Sequence, residues 1–202
     1  LGQALHAEAI DELKKFLAKD SSSSRRGDAK LKLGIAQVRL KLYDQARDTF
    51  QELAGAQTVQ SDESVVWLAR VYLRQGMGEK LLELSRGLPK RSLSPEQKGQ
   101  INLFAGIWLE DQKQFNEAIA KYRLVTKAGE PATQRAEASW RVGWALYRTA
   151  RYKEAIEVLQ HIVEKAEHVL HEVRLFFPLQ VGFRVERGET AHGGALLAVM
   201  IH

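Results

Sequence analysis

The 202-residue chain contains no cysteine and only 4 prolines. The absence of cysteine excludes disulfide bonds, thiolate metal sites and a cysteine nucleophile. Because proline breaks helix interiors, its scarcity leaves long uninterrupted helices open. No run of about 18 apolar residues occurs, so no transmembrane helix is expected. The chain starts at Leu1 without a signal-peptide pattern, as a processed or truncated chain would.

The composition is that of a soluble globular protein, with 45% hydrophobic and 27% charged residues. The formal net charge of +5 suits an anionic partner but does not identify one. A basic N-terminal set is interleaved with Asp11 and Glu12, which favours a solvated helix face over a nucleic-acid site. That set is Lys14, Lys15, Lys19, Arg25, Arg26, Lys30 and Lys32. No nucleic-acid partner is expected.

A small residue recurs at a nearly constant interval inside four helix-like stretches. The four anchors are Gly34, Ala69, Gly106 and Gly143, at intervals of 35, 37 and 37 residues. This period is close to the roughly 34 residues of a helix–turn–helix repeat. Apolar residues at i, i+3, i+4 and i+7 around each anchor predict amphipathic helices.

Other positions keep step with the anchor in three of the four units. An aromatic residue stands nine positions later, then an alanine, then a large side chain. These sets are Tyr43, Ala46 and Phe50; Phe115, Ala118 and Tyr122; and Tyr152, Ala155 and Leu159. The second unit departs from the pattern, with Gly78, Leu81 and Ser85 at these places, so its second helix is expected to pack differently.

Each unit is therefore expected to be a pair of antiparallel helices that approach closely where both carry small side chains. In the fourth unit this contact is assigned to Gly143 and Ala155, and Tyr152 and Ile156 are assigned to turn and core packing. Because one hairpin cannot bury its apolar face alone, the units should stack.

Polar, turn-rich segments at 20–28, 87–97 and 127–134 separate the units, and Ser94-Pro95 is typical of a helix start. We expect one helical repeat domain over residues 1–165. Residues 166–202 are expected to form a degraded further repeat or a truncated end of the same solenoid. In that repeat Gly182 would be the anchor and 190–201 the second helix.

The joint pattern over residues 7–165 resembles the tetratricopeptide repeat (TPR) family, most clearly at 140–156. The resemblance implies an all-α fold, a right-handed α-solenoid of about four to five helix–turn–helix repeats. The chain also looks like the superhelical region that precedes the catalytic domain of soluble lytic murein transglycosylases, and like periplasmic repeat proteins of envelope assembly.

The family's implied role is to hold a peptide or partner protein in a groove lined by the first helix of each unit. Carried over by position, the fourth unit contributes Glu137, Trp140, Trp144, Tyr147 and Arg148. The earlier units contribute Leu31, Ile35, Val38 and Arg39; Val66, Arg70, Leu73 and Arg74; and Leu103, Ile107, Glu110 and Asp111. The candidate partner-binding residues are Arg39, Arg70, Arg74, Trp140, Trp144, Tyr147 and Arg148. The lysine and asparagine set that grips a C-terminal carboxylate in chaperone-binding members is missing.

Catalytic and cofactor motifs are not found. Glu63-Ser64 lacks the stretches that surround the catalytic glutamate of transglycosylases, and is interpreted as a helix start. His161, His168, His171 and Glu164 share one helix face, but ligands three turns apart on a straight helix cannot converge on one metal ion. Neither a phosphate-binding loop nor a GxGxxG motif occurs. No catalytic, cofactor-binding or metal site is expected.

Two hypotheses for function follow. The first is a non-catalytic scaffold for protein or peptide partners, placed in the periplasm or cell envelope, with the cytoplasm as the alternative. The second is the non-catalytic superhelical part of a peptidoglycan lytic transglycosylase. In that case peptidoglycan is reached through the parent enzyme, and a lysozyme-like domain follows residue 202.

Overall fold

The computed structural model describes residues 2–19, 25–56, 58, 60–126 and 132–176, and for residues 2–4, 132 and 165–176 the backbone alone. Over these ranges the chain forms nine α-helices and a short 3-10 helix, with no strand. The helices are α1 (Gly2–Lys19), α2 (Arg26–Arg39), α3 (Tyr43–Gly55), α4 (Ser61–Arg74), α5 (Gly78–Gly87), the 3-10 helix Leu88–Lys90, α6 (Pro95–Asp111), α7 (Phe115–Val125), α8 (Ala132–Arg148) and α9 (Tyr152–Phe176).

The helices pair as the repeat predicts: α2 with α3, α4 with α5, α6 with α7 and α8 with α9. Helix α1 packs on α2 and is the second helix of a preceding unit. Each first helix also packs on the first helix of the next unit, which joins the hairpins into a stack. The predicted all-α solenoid is confirmed.

Two compact units are distinguished along the chain, Leu1–Lys165 and Ala166–His202. The first contains the stacked hairpins. The features expected in the second, an anchor at Gly182 and a helix over 190–201, lie outside the described residues.

The anchor glycines make room for one large side chain on the partner helix. A Cβ built on Gly34 would lie 2.5 Å from the Phe50 ring, and one on Gly106 would lie 2.3 Å from the Tyr122 ring. At Gly143 the nearest side chain is Leu159, at 2.7 Å, and Ala155, to which the sequence assigned the contact, is buried in the core cluster formed with α8. Every contact joins an anchor to the residue sixteen positions later, because the same lengths of helix on either side of the interhelical turn separate the facing sites.

The second unit departs from this scheme, as predicted. Its second helix, α5, has only 10 residues. A Cβ on Gly78 would lie 1.9 Å from Trp108 Cε2, so the indole of α6 occupies the space above this glycine. Leu81 and Ser85, which replace alanine and the large side chain, are both buried. Here a tryptophan from the following unit supplies bulk that the unit itself lacks.

The four turns inside the units share one backbone conformation. Lys41, Gly76, Lys113 and Ala150, each seven residues after an anchor, have φ of 60°, 69°, 61° and 57°. In the first turn the N–H groups of Lys41 and Leu42 donate to the carbonyls of Val38 and Gln37. This pairing closes a helix end through one left-handed residue, usually glycine. Three units therefore hold a side chain where glycine is preferred.

The predicted helix start at Ser94 is confirmed. The Ser94 hydroxyl accepts from the Gln97 N–H, the Gln97 side chain accepts from the Ser94 N–H, and Pro95 takes the first helical position. This reciprocal capping satisfies donors that a helix start leaves free. The Glu63-Ser64 pair lies in the first turn of α4, which also agrees with its interpretation as a helix start.

Candidate functional site

The face of the first helices carries the residues predicted to form the groove, and its exposure changes along the chain. At the position three residues before the anchor, Leu31, Val66 and Leu103 are 8%, 9% and 5% exposed, but Trp140 is 53% exposed. The first three are covered because another first helix packs beside theirs. In the described ranges no first helix follows α8, so its groove side stays open.

An aromatic ladder, formed by Trp140, Trp144, Tyr147 and Tyr152, runs along this open side. The Trp140 and Trp144 rings lie 6.3 Å apart and nearly parallel, and Trp144 stacks on Tyr147 at 5.8 Å. Tyr147 meets Tyr152 at 5.6 Å in a tilted contact. The spacing of 140, 144 and 147 along a helix places these side chains on one face. The structure thus brings three predicted site residues together.

The end of the ladder corrects the sequence interpretation. Tyr152 and Ile156, expected in turn and core packing, are 55% and 54% exposed. They lie on the outer side of α9, whereas Val142 and Leu146 of α8 are buried as expected. The ladder therefore continues from the first helix of the unit onto the second.

Arg148 adds a cation to the ladder. Its guanidinium lies 5.7 Å from the Trp144 ring centroid and 5.3 Å from that of Phe115. A guanidinium at such distances is attracted to the electron-rich ring faces. The side chain is exposed, so the charge stays open to solvent beside the aromatic surface.

A second group, the arginine cluster, consists of Arg39 at the end of α2 and Arg70 and Arg74 on α4. The Arg70 guanidinium lies 4.7 Å from the Trp67 ring centroid and 5.5 Å from that of Phe104, which belongs to α6. Burial, followed by the charges of Arg74 and Arg39, lowers the pKa of Arg70. The charges of Arg39 and Arg74, two other predicted groove residues, therefore act on Arg70.

The arginine cluster has no acidic partner in the described part of the chain. Some other cations of the fold are paired, among them Arg47 with Asp44 at 2.8 Å and Arg151 with Glu154 at 2.6 Å. No carboxylate of the described residues forms an ion pair with Arg39, Arg70 or Arg74. Glu63 and Glu96 line a pocket beside Arg70 without forming an ion pair with it, so the cluster is unpaired but has acidic side chains nearby.

The third unit carries an acid, Glu110, at a predicted groove position, and two neighbouring side chains contact it. The Tyr122 hydroxyl donates to Glu110 Oε2 at 2.5 Å, and Arg141 Nη1 lies 3.4 Å from the same oxygen. Burial and the hydrogen bond to Glu110 raise the pKa of Tyr122 well above its usual range. Arg141 also pairs with Glu137, another predicted groove residue. Asp111, at the same repeat position as Arg39 and Arg74, is exposed.

Among the histidines of α9, the structure describes the side chain of His161 alone. His161 Nδ1 lies 3.9 Å from Glu164 Oε2, and both side chains are mostly exposed. The side chains of His168 and His171 lie outside the described residues. In the part of the chain whose side chains are described, no three His, Asp or Glu residues converge.

The charge of the N-terminal basic set is partly compensated, since Lys15 pairs with Glu12 and Lys30 with Glu52.

Sequence reasoning missed the aromatic side chains that hold Arg70. Trp67 precedes Arg70 by three residues, so its place on the same helix face was readable from the spacing. Phe104 was not readable, because it reaches Arg70 from the next unit. Membership of Tyr152 in the ladder also required knowing which neighbours cover α9.

In the described helices no segment is both long and apolar enough to cross a bilayer. Comparison with curated proteins finds no match. Among solved structures, the chain is similar to the MamA RS-1 ArsTM double mutant, with a TM-score of 0.64 and 15% identity over 81% of this chain and 86% of that one. For MamA AMB-1 the TM-score is 0.56, with 17% identity over 82% and 92% of the chains.

Bacillus thuringiensis PlcR, solved in complex with the peptide PapR7 and DNA, is similar with a TM-score of 0.55 and 13% identity. That match covers 85% of this chain and 68% of PlcR. At these identities the likeness concerns the fold. The family description "Tetratricopeptide repeat" matches residues 1–61 and 105–168. The two matched segments carry the anchors Gly34, Gly106 and Gly143, and the chain belongs to the tetratricopeptide repeat family.

Proposed function

We propose that the chain is a non-catalytic scaffold that binds a protein or peptide segment along the face of its first helices. The aromatic ladder carries this proposal. Four aromatic side chains, each between 37% and 55% exposed, stand in one stacked row. Large exposed aromatic surfaces of this kind are characteristic of interaction sites.

Stacking prepares the ladder for binding. Each ring is already held by its neighbours, so a ligand gives up little side-chain freedom on contact. Tryptophan and tyrosine bury large apolar areas and keep a polar group for hydrogen bonding, which makes them common binding hot spots. Apolar, aromatic or proline side chains of a peptide would fit such a surface.

A second feature supports a polymeric ligand in preference to a small molecule. The predicted groove residues lie on successive first helices, from Arg39 in the first unit to Arg148 in the fourth. An extended segment could contact several units at once. PlcR, one of the similar folds, was solved with a peptide, which agrees with this proposal without extending its ligand to the present chain.

Peptides selected from a random display library against the wild-type chain would test the ladder. We expect their affinity, measured by fluorescence polarisation, to fall at least about tenfold for Trp144→Ala with Arg148→Glu, since hot-spot losses exceed about 1.4 kcal/mol. The control Leu124→Ala with Lys153→Glu removes an exposed apolar group and reverses one charge outside the ladder. Equal binding by both double variants would reject the ladder as the site.

Two finer proposals rest on the sequence resemblance alone. One is a periplasmic or cell-envelope location, with the cytoplasm as the alternative. An alkaline phosphatase fusion to the natural reading frame should be active only if the protein is exported. The other is origin in a lytic transglycosylase that acts on peptidoglycan. It requires a lysozyme-like domain encoded after residue 202, and a reading frame without one would remove it.

A further inference from the structure

We propose that Arg39, Arg70 and Arg74 form a recognition site for adjacent Asp or Glu side chains of a peptide lying in the groove. This inference rests on the proposed scaffold function and names the chemistry of its ligand. The carrying observation is that Arg39 and Arg74 end two first helices that pack on each other, with Arg70 one turn before Arg74, and that none of the three forms an ion pair in the described chain.

Repeat geometry creates the cluster. Arg39 and Arg74 each stand five residues after an anchor and end their helices, so the stacking of α4 on α2 brings them to the same edge of the groove. Arg70 lies one helical turn before Arg74 on the same face. Like charges held this close repel, and the pKa of Arg70 is lowered partly for that reason. An anionic ligand would relieve the repulsion.

The cluster is partly ordered before any ligand arrives. Arg70 lies against Trp67 of its own helix and Phe104 of α6, which restrict its guanidinium through ring contacts. Arginine binds carboxylates through two parallel hydrogen bonds, and a half-buried guanidinium does so more strongly than one in bulk water. Glu63 and Glu96 line a pocket beside Arg70, but neither forms an ion pair with it.

The surroundings favour an acidic peptide over a nucleic acid. An open pocket beside Arg39 is lined by the apolar residues Ala9, Leu13, Ile35 and Ala36 and also by His6, Glu12 and Lys32, with Glu12 paired to Lys15. Such a pocket suits an apolar side chain next to a carboxylate. Farther along the same repeat position, Arg39 and Arg74 are followed by the exposed acid Asp111. A uniformly charged phosphate backbone would meet repulsion there, whereas a peptide can change its charge from one residue to the next.

Three matched peptides would test the site by fluorescence polarisation. Each has 12 residues with leucines flanking a core of Asp-Glu-Asp, Asn-Gln-Asn or Lys-Lys-Lys, and a 12-nucleotide single-stranded DNA is the fourth probe. We expect the acidic peptide to bind at least about tenfold more tightly than the amide peptide at low salt, with the preference weakening at high salt. Arg39→Gln with Arg74→Gln should abolish the preference.

Arg47→Gln is the matched control. It should leave the preference for the acidic peptide unchanged, because Arg47 already pairs with Asp44 and Asp48. The double arginine variant should unfold at the same or a higher temperature, since it removes a repulsion. Equal binding of the acidic and amide peptides would overturn the acidic site and leave the scaffold standing. An acidic preference that survives in the double variant, or tighter binding of DNA through the same arginines, would also overturn it.

Binding of the same four probes to the Trp144→Ala variant checks the groove itself. Failure of every probe to bind the wild-type chain would reject the acidic site. If peptides from the display library also fail to bind, the scaffold function falls with it.

Discussion

The arginine cluster and the aromatic ladder occupy matching repeat positions, but different neighbours hold them in place. Arg70 and Trp144 each follow an anchor by one residue, and Arg74 and Arg148 by five. Arg70 depends on Phe104 of the next unit, whereas the ladder is built within the fourth unit from α8 and α9. The helical frame therefore fixes where side chains stand, while the cover supplied by the next unit decides how much of each remains exposed.

The sharpest way to break this comparison is to truncate the same position in a covered and an open unit. Leu103→Ala should lower the free energy of unfolding by about 2–5 kcal/mol, because it leaves a cavity in the core. Trp140→Ala should cost less than about 1 kcal/mol, because its side chain is exposed. Urea unfolding followed by circular dichroism measures both. A large loss for Trp140→Ala would show that the ladder is covered in solution.

Between the two regions, the Tyr122 hydroxyl and Arg141 both contact Glu110. Tyr122→Phe removes the hydrogen bond from the hydroxyl and leaves the ion pair with Arg141. Loss of a hydrogen bond to a charged group should cost about 1.5–3 kcal/mol near pH 8. Because the folded state keeps the phenol protonated above the unfolded pKa of about 10, wild-type stability should fall as pH rises beyond it.

The free energy of unfolding of wild type should therefore exceed that of Tyr122→Phe by less and less above about pH 10, with a change of up to about 1.4 kcal/mol per pH unit. Urea unfolding at pH 8, 10 and 11 measures it. A difference that stays constant with pH would contradict the assigned cause.

The anchors offer a test of how firmly each region is packed. Gly34→Ala should cost about 1–2 kcal/mol, since the new methyl group meets the fully buried Phe50 ring and better helix propensity offsets only part of the strain. Gly143→Ala should cost less than about 0.5 kcal/mol, because half-buried Leu159 can move aside. Chemical denaturation of both variants decides the order, and an equal loss would show that Leu159 is as confined as Phe50.

The smallest effects are expected at the turns, where both regions should behave alike. Lys41→Gly and Ala150→Gly should each raise the free energy of unfolding by about 0.5–1 kcal/mol, because glycine adopts the left-handed conformation without the steric penalty of a side chain. Thermal unfolding of the two variants gives the shifts. Stabilisation at one turn alone would mean that the two turns are not equivalent.

The sequence was sufficient to predict the helices and their pairing, because these follow from apolar periodicity and a small residue at a fixed interval. The groove positions stay a prediction. The side chain nearest to Gly143 is Leu159, one turn beyond the predicted Ala155, and Ala155 is buried in the same core cluster.

The solvent exposure of the side chains could not be predicted from this periodicity. Tyr152 and Ile156 have the pattern of packed residues but lack a covering neighbour, and Arg70 rests on a ring from another unit. Such properties depend on contacts between units, which a local pattern does not encode. The cellular location and the parent enzyme stay predictions, because helical spacing carries no information on either.

The repeated turn has a consequence for how such a chain can change length. Since Lys41, Gly76, Lys113 and Ala150 close their helices in the same conformation, the two helices of each of these hairpins are joined in the same way. Duplication of the 37 codons between two anchors, such as residues 107–143, would add a hairpin without disturbing the register of the others. Recombination could thus lengthen the groove in whole steps, and the spacing of its arginines and aromatics is a property that gene duplication can adjust.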